Sequence, residues 1–238
     1  MNEQFKTPGE SMNRIGITTI LFTAAVTLLT GGCGGGGSAP DEGEDERLPA
    51  PPEVSAALLS TDDLTGYDRI EPDRDATPPD GSDRPRCLRA LNDLDYGTPA
   101  SGSAVQARRE FGHSKLGPWL RETLRVYPDD SAAEKAYEKA VSGLSDCELF
   151  TVTWSDLAAT GTERVRETTN PGLDDRSWAA NIRVDLDGYP SGETKTLVQK
   201  GRVLVVLSHA AAPDAPAQDE TRNITGLATE RAFRVLDT

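Results

Sequence analysis

Five consecutive apolar residues, Val203 to Leu207, have no polar face at all, which places them in a central strand covered on both sides. Other stretches alternate. Val105, Ala107 and Phe111 recur on one side of SAVQARREF (103–111), and Leu120, Leu124 and Val126 do so in LRETLRV (120–126); both predict half-buried strands. ELFTVTW (148–154), TERVRETT (162–169) and SWAANIRVDLD (177–187) predict further strands, and Lys200-Gly201 joins ETKTLVQ to VLVVLS in a tight hairpin.

Helical spacing marks four places. Leu58, Leu59, Asp62, Asp63 and Leu64 predict a short helical turn capped by Ser60 or Thr61. Cys87, Leu88, Leu91 and Leu94 lie on one side of a second short helix. Ser131 and Glu134 make a capping-box pattern ahead of Ala133, Ala136, Tyr137, Ala140 and Leu144, a helix that ends at Cys147. Ile224, Leu227, Ala228, Arg231, Ala232 and Val235 predict a closing helix. The fold expected is α+β, a mostly antiparallel sheet with helices packed on one face.

The amino-terminal part reads differently. Residues 15–29, IGITTILFTAAVTLL, form an uncharged apolar run between Arg14 and Thr30-Gly31-Gly32-Cys33. The run is shorter than the roughly 17–25 residues of a membrane span and has the layout of a cleaved export signal. Leu28-Leu29-Thr30-Gly31-Gly32-Cys33 resembles the bacterial lipobox, with Thr30 where that family usually has Leu. The resemblance implies cleavage before Cys33 and lipid on its sulfur, a diacylglyceryl group with palmitate-type chains. Glu3 and Glu10 are unusual in a positively charged signal head, so Met12 is the expected start of translation.

Behind Cys33 come four glycines, the acidic DEGEDER (41–47) and LPAPP (48–52). Such a segment buries too little apolar surface to offset its ordering entropy and is expected to be a tether. The expected organisation is therefore a signal peptide (1–32), a lipidated linker (33–53) and one domain (54–238). The membrane, reached through lipid on Cys33, is the first expected partner, and the extracytoplasmic face of the cell membrane is the expected location.

Charge and cysteine usage narrow the chemistry. A formal charge of −14 argues against nucleic acid, which needs a concentrated positive surface. Cys87 and Cys147 are the cysteines outside the lipobox, and in an exported protein they are expected to pair as a disulfide. With His113 and His209 they show no zinc-ligand spacing, so neither a metal nor a cofactor is expected. His113-Ser114 lacks the orienting acid and glycine elbow of a serine nucleophile, and His209 is placed where its strand leaves for solvent. No catalytic residue is expected. Trp119, Trp154, Trp178 and Tyr189 are the candidate ligand-binding residues, since aromatics with a polar handle are enriched at recognition surfaces.

The chain also resembles the extracellular sensor domain of PknH-type bacterial serine/threonine kinases. The likeness rests on Leu58-Leu59-Ser60 with Asp62 and Leu64, on Val126-Tyr127-Pro128-Asp129 ahead of the alanine-rich helix, and on Cys147 at its end. Residues 198–206, VQKGRVLVV, followed by the last helix, complete it. That family commonly has two disulfides and a Trp three residues before the helix-end cysteine; here one cysteine pair is present and Leu144 takes the Trp position. The resemblance implies an antiparallel sheet with an open cleft for an unidentified extracellular ligand or envelope protein. The function expected is a membrane-anchored sensor-like binding module, with an accessory lipoprotein of an envelope complex as the alternative.

Overall fold

The computed structural model describes residues 47–71, 77–100, 102–168, 173 and 176–236. The expected signal peptide, the Met12 start, Cys33 and most of the linker lie outside them.

Nine strands among the described residues pair antiparallel in one sheet: β1 (Asp68–Ile70), β2 (Gly81–Ser82), β3 (Val105–Gly112), β4 (Trp119–Val126), β5 (Phe150–Trp154), β6 (Ala159–Thr168), β7 (Arg176–Leu186), β8 (Tyr189–Lys200) and β9 (Val203–Ala211). Their order is β1-β3-β4-β9-β8-β7-β6-β5-β2. Strands β5 to β9 form a meander closed by pairing β9 to β4. The chain must therefore travel from β4 to the far side of the meander, and the crossing is made by helix α3 (Asp130–Leu144). Helices α1 (Pro51–Ala56), α2 (Pro85–Asp95) and α4 (Gln218–Val235) complete the domain.

The α+β class and the antiparallel sheet are as the sequence predicts, but the helices divide between the two faces. Val203, Val205, Leu207 and Val198 share a core with α1 and α4 on the front, while Leu204, Val206 and Leu197 share one with α2 and α3 on the back. A strand apolar at every position needs a cover on each side, and β9, fourth of nine in the sheet, has both.

Three local expectations shift. The first helix lies upstream of the predicted turn and takes Pro51, Pro52 and Glu53 from the expected linker; proline suits the first helical turn because its missing N–H has no partner to lose there. At Ser60 the carboxylate does the capping: Asp63 accepts from the Ser60 N–H and from its hydroxyl. At the head of α3 the cap is Asp129, accepting from the Ala132 N–H at 2.7 Å, so Ser131 and Glu134 already lie inside the helix.

Helix α4 is rotated from its predicted face. Leu227 and Val235 are exposed, and its buried side carries Thr221, Thr225 and Thr229 with Ile224, Ala228, Ala232 and Phe233. The threonine hydroxyls bond back to the carbonyls four residues earlier, so they enter the interior with their polarity already met.

Candidate functional site: a cleft between the disulfide-tied helices

Cys87 near the start of α2 and Cys147 just past α3 are joined, with Cα atoms 5.6 Å apart. This is the predicted pairing, and it fixes one end of the two helices. At the adjoining crossing the helices come close because α3 offers Gly143, where a Cβ would lie 2.9 Å from the Cβ of Ala90. Beyond that crossing Gly97 to Ala100 and Ser103 line the space between the helices.

The resulting cleft has a volume of about 580 Å³. Its floor is apolar or small, with Ala90, Leu94, Ala136 and Ala140, and its rim carries Arg86, Arg89, Lys139 and Tyr127. Arg86 donates to the Ser142 carbonyl, and Lys139 stands 3.8 Å from Asp93. A concave apolar surface with a few convergent polar groups is the form small-molecule sites take.

Two polar devices hold the α2 wall in place. Arg125 on β4 sends its guanidinium into the carboxyl end of α2, donating to the carbonyls of Asp93 (2.7 Å), Leu94 (3.3 Å) and Gly97 (3.2 Å) and to the Gln106 side chain. Those carbonyls have no partners within the helix, and a cation there also opposes the negative end of its dipole.

The second device is the last residue of α2, Asp95. It is bound by Lys195 of β8 at 2.5 Å and by Ser208 of β9, with Arg121 at 3.8 Å. Burial alone would raise the Asp95 carboxyl, and the Lys195 ammonium and Arg121 overcome it and hold it below its ordinary range. Lys195 is fully buried yet pushed upward: burial would lower it, and Asp95 and Glu193 outweigh that. Glu163, on β6 beside this group, is pushed up to about 7, by burial first and then by Glu193 and Asp95.

The aromatic residues proposed from sequence do not meet. Trp178 is core, 7% exposed among the back-face apolar side chains. Trp154 packs over Gly161 at the β5–β6 hairpin, Trp119 lies at the start of β4 against Gly112, and Tyr189 stands 79% exposed at a hairpin end. None lines the cleft. Its cationic rim was in the sequence as Arg86, Arg89 and Lys139, but only the crossing of α2 and α3 brings them together.

His209 is not at an exit to solvent; it is fully buried. Tyr67 donates to Glu220 at 3.0 Å and sits 2.7 Å from His209 Nε2, while His209 Nδ1 lies 2.8 Å from the Thr221 hydroxyl. Burial pushes the imidazole down to about 4. The chain of bonds ties β9 to α4 and to the segment before β1, a role in packing. His113 bonds the Gly66 carbonyl through Nδ1. Among the described residues no group of three or more His, Cys, Asp or Glu side chains is placed to hold a metal ion.

No family model and no curated protein matches the chain by sequence. Among solved structures it is similar to the extracellular domain of PknH from Mycobacterium tuberculosis, at a TM-score of 0.61 and 12% identity over 81% of this chain and 100% of that one. A second similarity, at a TM-score of 0.43 and 12% identity over 77% of this chain and 99% of the other, is to an uncharacterized Rv0999 ortholog from Mycobacterium smegmatis. The first of these shows that the two chains share a fold.

Proposed function

We propose that this chain is an extracytoplasmic binding module of the sensor type, tethered to the membrane by lipid on Cys33, which takes a small ligand with an acidic head and an apolar body between α2 and α3. The cleft carries the reading, because a cationic rim over a floor of small apolar residues suits such a ligand and little else in an acidic chain. The fold supports it, since the neighbour from Mycobacterium tuberculosis is itself an extracellular domain. Among the described residues no helix is long and apolar enough to cross a membrane.

A thermal-shift screen of the full chain against acidic amphiphiles tests the site, since a ligand bound only by the native state raises the melting temperature. Ligands found this way are expected to lose their effect in Ala140→Trp, which fills the cleft, and in Arg89→Glu, which reverses its rim. A flat screen, or shifts that survive both changes, would remove the cleft and favour the accessory role. For the anchor, Cys33→Ser is expected to move the protein out of the membrane fraction.

A further inference from the structure

Among the described residues α4 packs on the front of the sheet at β8 and β9, and farther along that face Arg164 and Arg166 of β6 and Arg183 of β7 are exposed. On β6 the alternation is clean, with Glu163 and Val165 turned inward and Thr162, Arg164 and Arg166 exposed. The register sets Arg164 directly opposite Arg183 of β7, and Arg166 opposite Asn181. Like charges facing each other across a ladder destabilise it. Arg183 has an exposed partner in Asp214 at 3.2 Å, whereas Arg164 and Arg166 have no ion pair among the described residues.

These side chains form one wall of a groove of about 480 Å³. The other wall is the chain at Ala215 and Pro216 with the head of α4 at Gln218. It passes directly over β8 because residue 192 is glycine, where a Cβ would lie 2.2 Å from the Ala215 nitrogen. Thr194 gives its hydroxyl proton to the Asn181 side-chain oxygen, leaving the Asn181 amide hydrogens for the groove. The cap residue Ala217 has no side-chain acceptor, so the first N–H groups of an 18-residue helix are open there. The acids of that first turn are engaged elsewhere, Glu220 by Tyr67 and Asp219 by Arg222.

We propose that this groove is a second binding site, for a soluble ligand bearing phosphate groups, gripped by Arg164, Arg166 and Arg183. Guanidinium forks match phosphate oxygens in pairs, and facing strands hold Arg164 and Arg183 about 5 Å apart at Cβ with Arg166 about 7–8 Å away on the diagonal. Two linked phosphates span that triangle. In a protein of charge −14, Arg164 and Arg166 are two cations on one strand without an ion pair among the described residues, and Arg183 beside them has a single exposed carboxylate partner.

The test titrates the full chain with sodium pyrophosphate by calorimetry, with sodium chloride at equal ionic strength as control. Wild-type protein is expected to bind, and the pair Arg164→Gln with Arg183→Gln to weaken binding at least tenfold. The same pair is expected to melt no lower than wild type in the absence of pyrophosphate, because it removes a like-charge contact, so lost binding cannot come from unfolding. Arg89→Gln with Lys139→Gln, on the opposite face, is expected to leave the affinity unchanged, which separates this site from the cleft. No binding by wild-type protein, or equal binding by Arg164→Gln with Arg183→Gln, would overturn the proposal.

Discussion

Lys195 and Asp95 are 100 residues apart in the chain and 2.5 Å apart in space. Through that contact the carboxyl end of α2 is bolted to the middle of the sheet, and with it one wall of the cleft. Glu193 sits on the same ammonium at 2.6 Å, so the lysine is matched by two carboxylates in a place water hardly reaches.

Removing Lys195 alone therefore strands buried negative charge. Lys195→Met is expected to cost about 3–5 kcal/mol in urea unfolding. Lys195→Met combined with Asp95→Asn should recover part of that, because the second change removes the charge the first one left unpaired. If the double variant loses the sum of the two single effects, the pair is not coupled and the cleft wall is held by packing alone.

The disulfide acts on the other end of the same helix. Replacing Cys87 and Cys147 with serine is expected to lower stability by about 4 kcal/mol in the chain-entropy model, for a loop of this size. Alkylation of denatured, unreduced wild-type protein should leave both cysteines unlabelled; label on Cys147 would break the pairing.

Most of this fold could be read from periodicity, and most of the site could not. Alternation located β3, β4 and β6 because each has one polar face, and the apolar run at Val203–Leu207 marked the strand that two layers cover. Helix α4 is legible as a helix but not in its rotation, since threonines that bond their own backbone count as polar in a pattern yet pack as apolar groups. Asp187-Gly188 between β7 and β8, with both residues at positive φ, is a hairpin signal the sequence carried openly. The cleft had no such signal. Arg86, Arg89 and Lys139 converge only because α3 crosses the back of the sheet, and Trp119, Trp154, Trp178 and Tyr189, whose chemistry suits recognition, lie scattered over separate strands.

The helix crossing itself offers a third measurement. Gly143 meets Ala90 with no room for a side chain, so Gly143→Leu must drive α2 and α3 apart. Overpacking of this kind is expected to cost about 1–3 kcal/mol. It should also weaken any ligand of the cleft, whereas the groove of Arg164 and Arg183 should be untouched. An unchanged unfolding midpoint would mean that the helices are not in contact there.

Buried groups of opposite sense set the pH dependence: Glu122 and, in the same direction, Glu163 on one side, and His209 on the other. Glu122 on β4 is fully buried between Leu120 and Leu124; its Oε2 accepts from the Leu59 N–H at 2.7 Å, and its Oε1 has no hydrogen-bond partner among the described residues. Burial pushes it up to about 8 from an ordinary 4.5, against the pull of the Leu59 bond and Arg109. Between those values the folded state binds the proton and the unfolded state has released it, so stability falls as pH rises from about 4.5 to about 8. His209, pushed down to about 4 from 6.5 by burial, does the reverse, and stability falls as pH drops through that window. Glu122→Gln mimics the protonated acid. It is expected to match wild type below pH 4.5 and to exceed it by ~1–3 kcal/mol at pH 8, less than the full shift because relaxation and water soften the cost of a buried charge. Its acid limb, set by His209, should remain. Urea unfolding from pH 4 to pH 9 decides it: a difference between variant and wild type that stays constant with pH would mean that Glu122 ionises in the folded protein as it does in the unfolded chain.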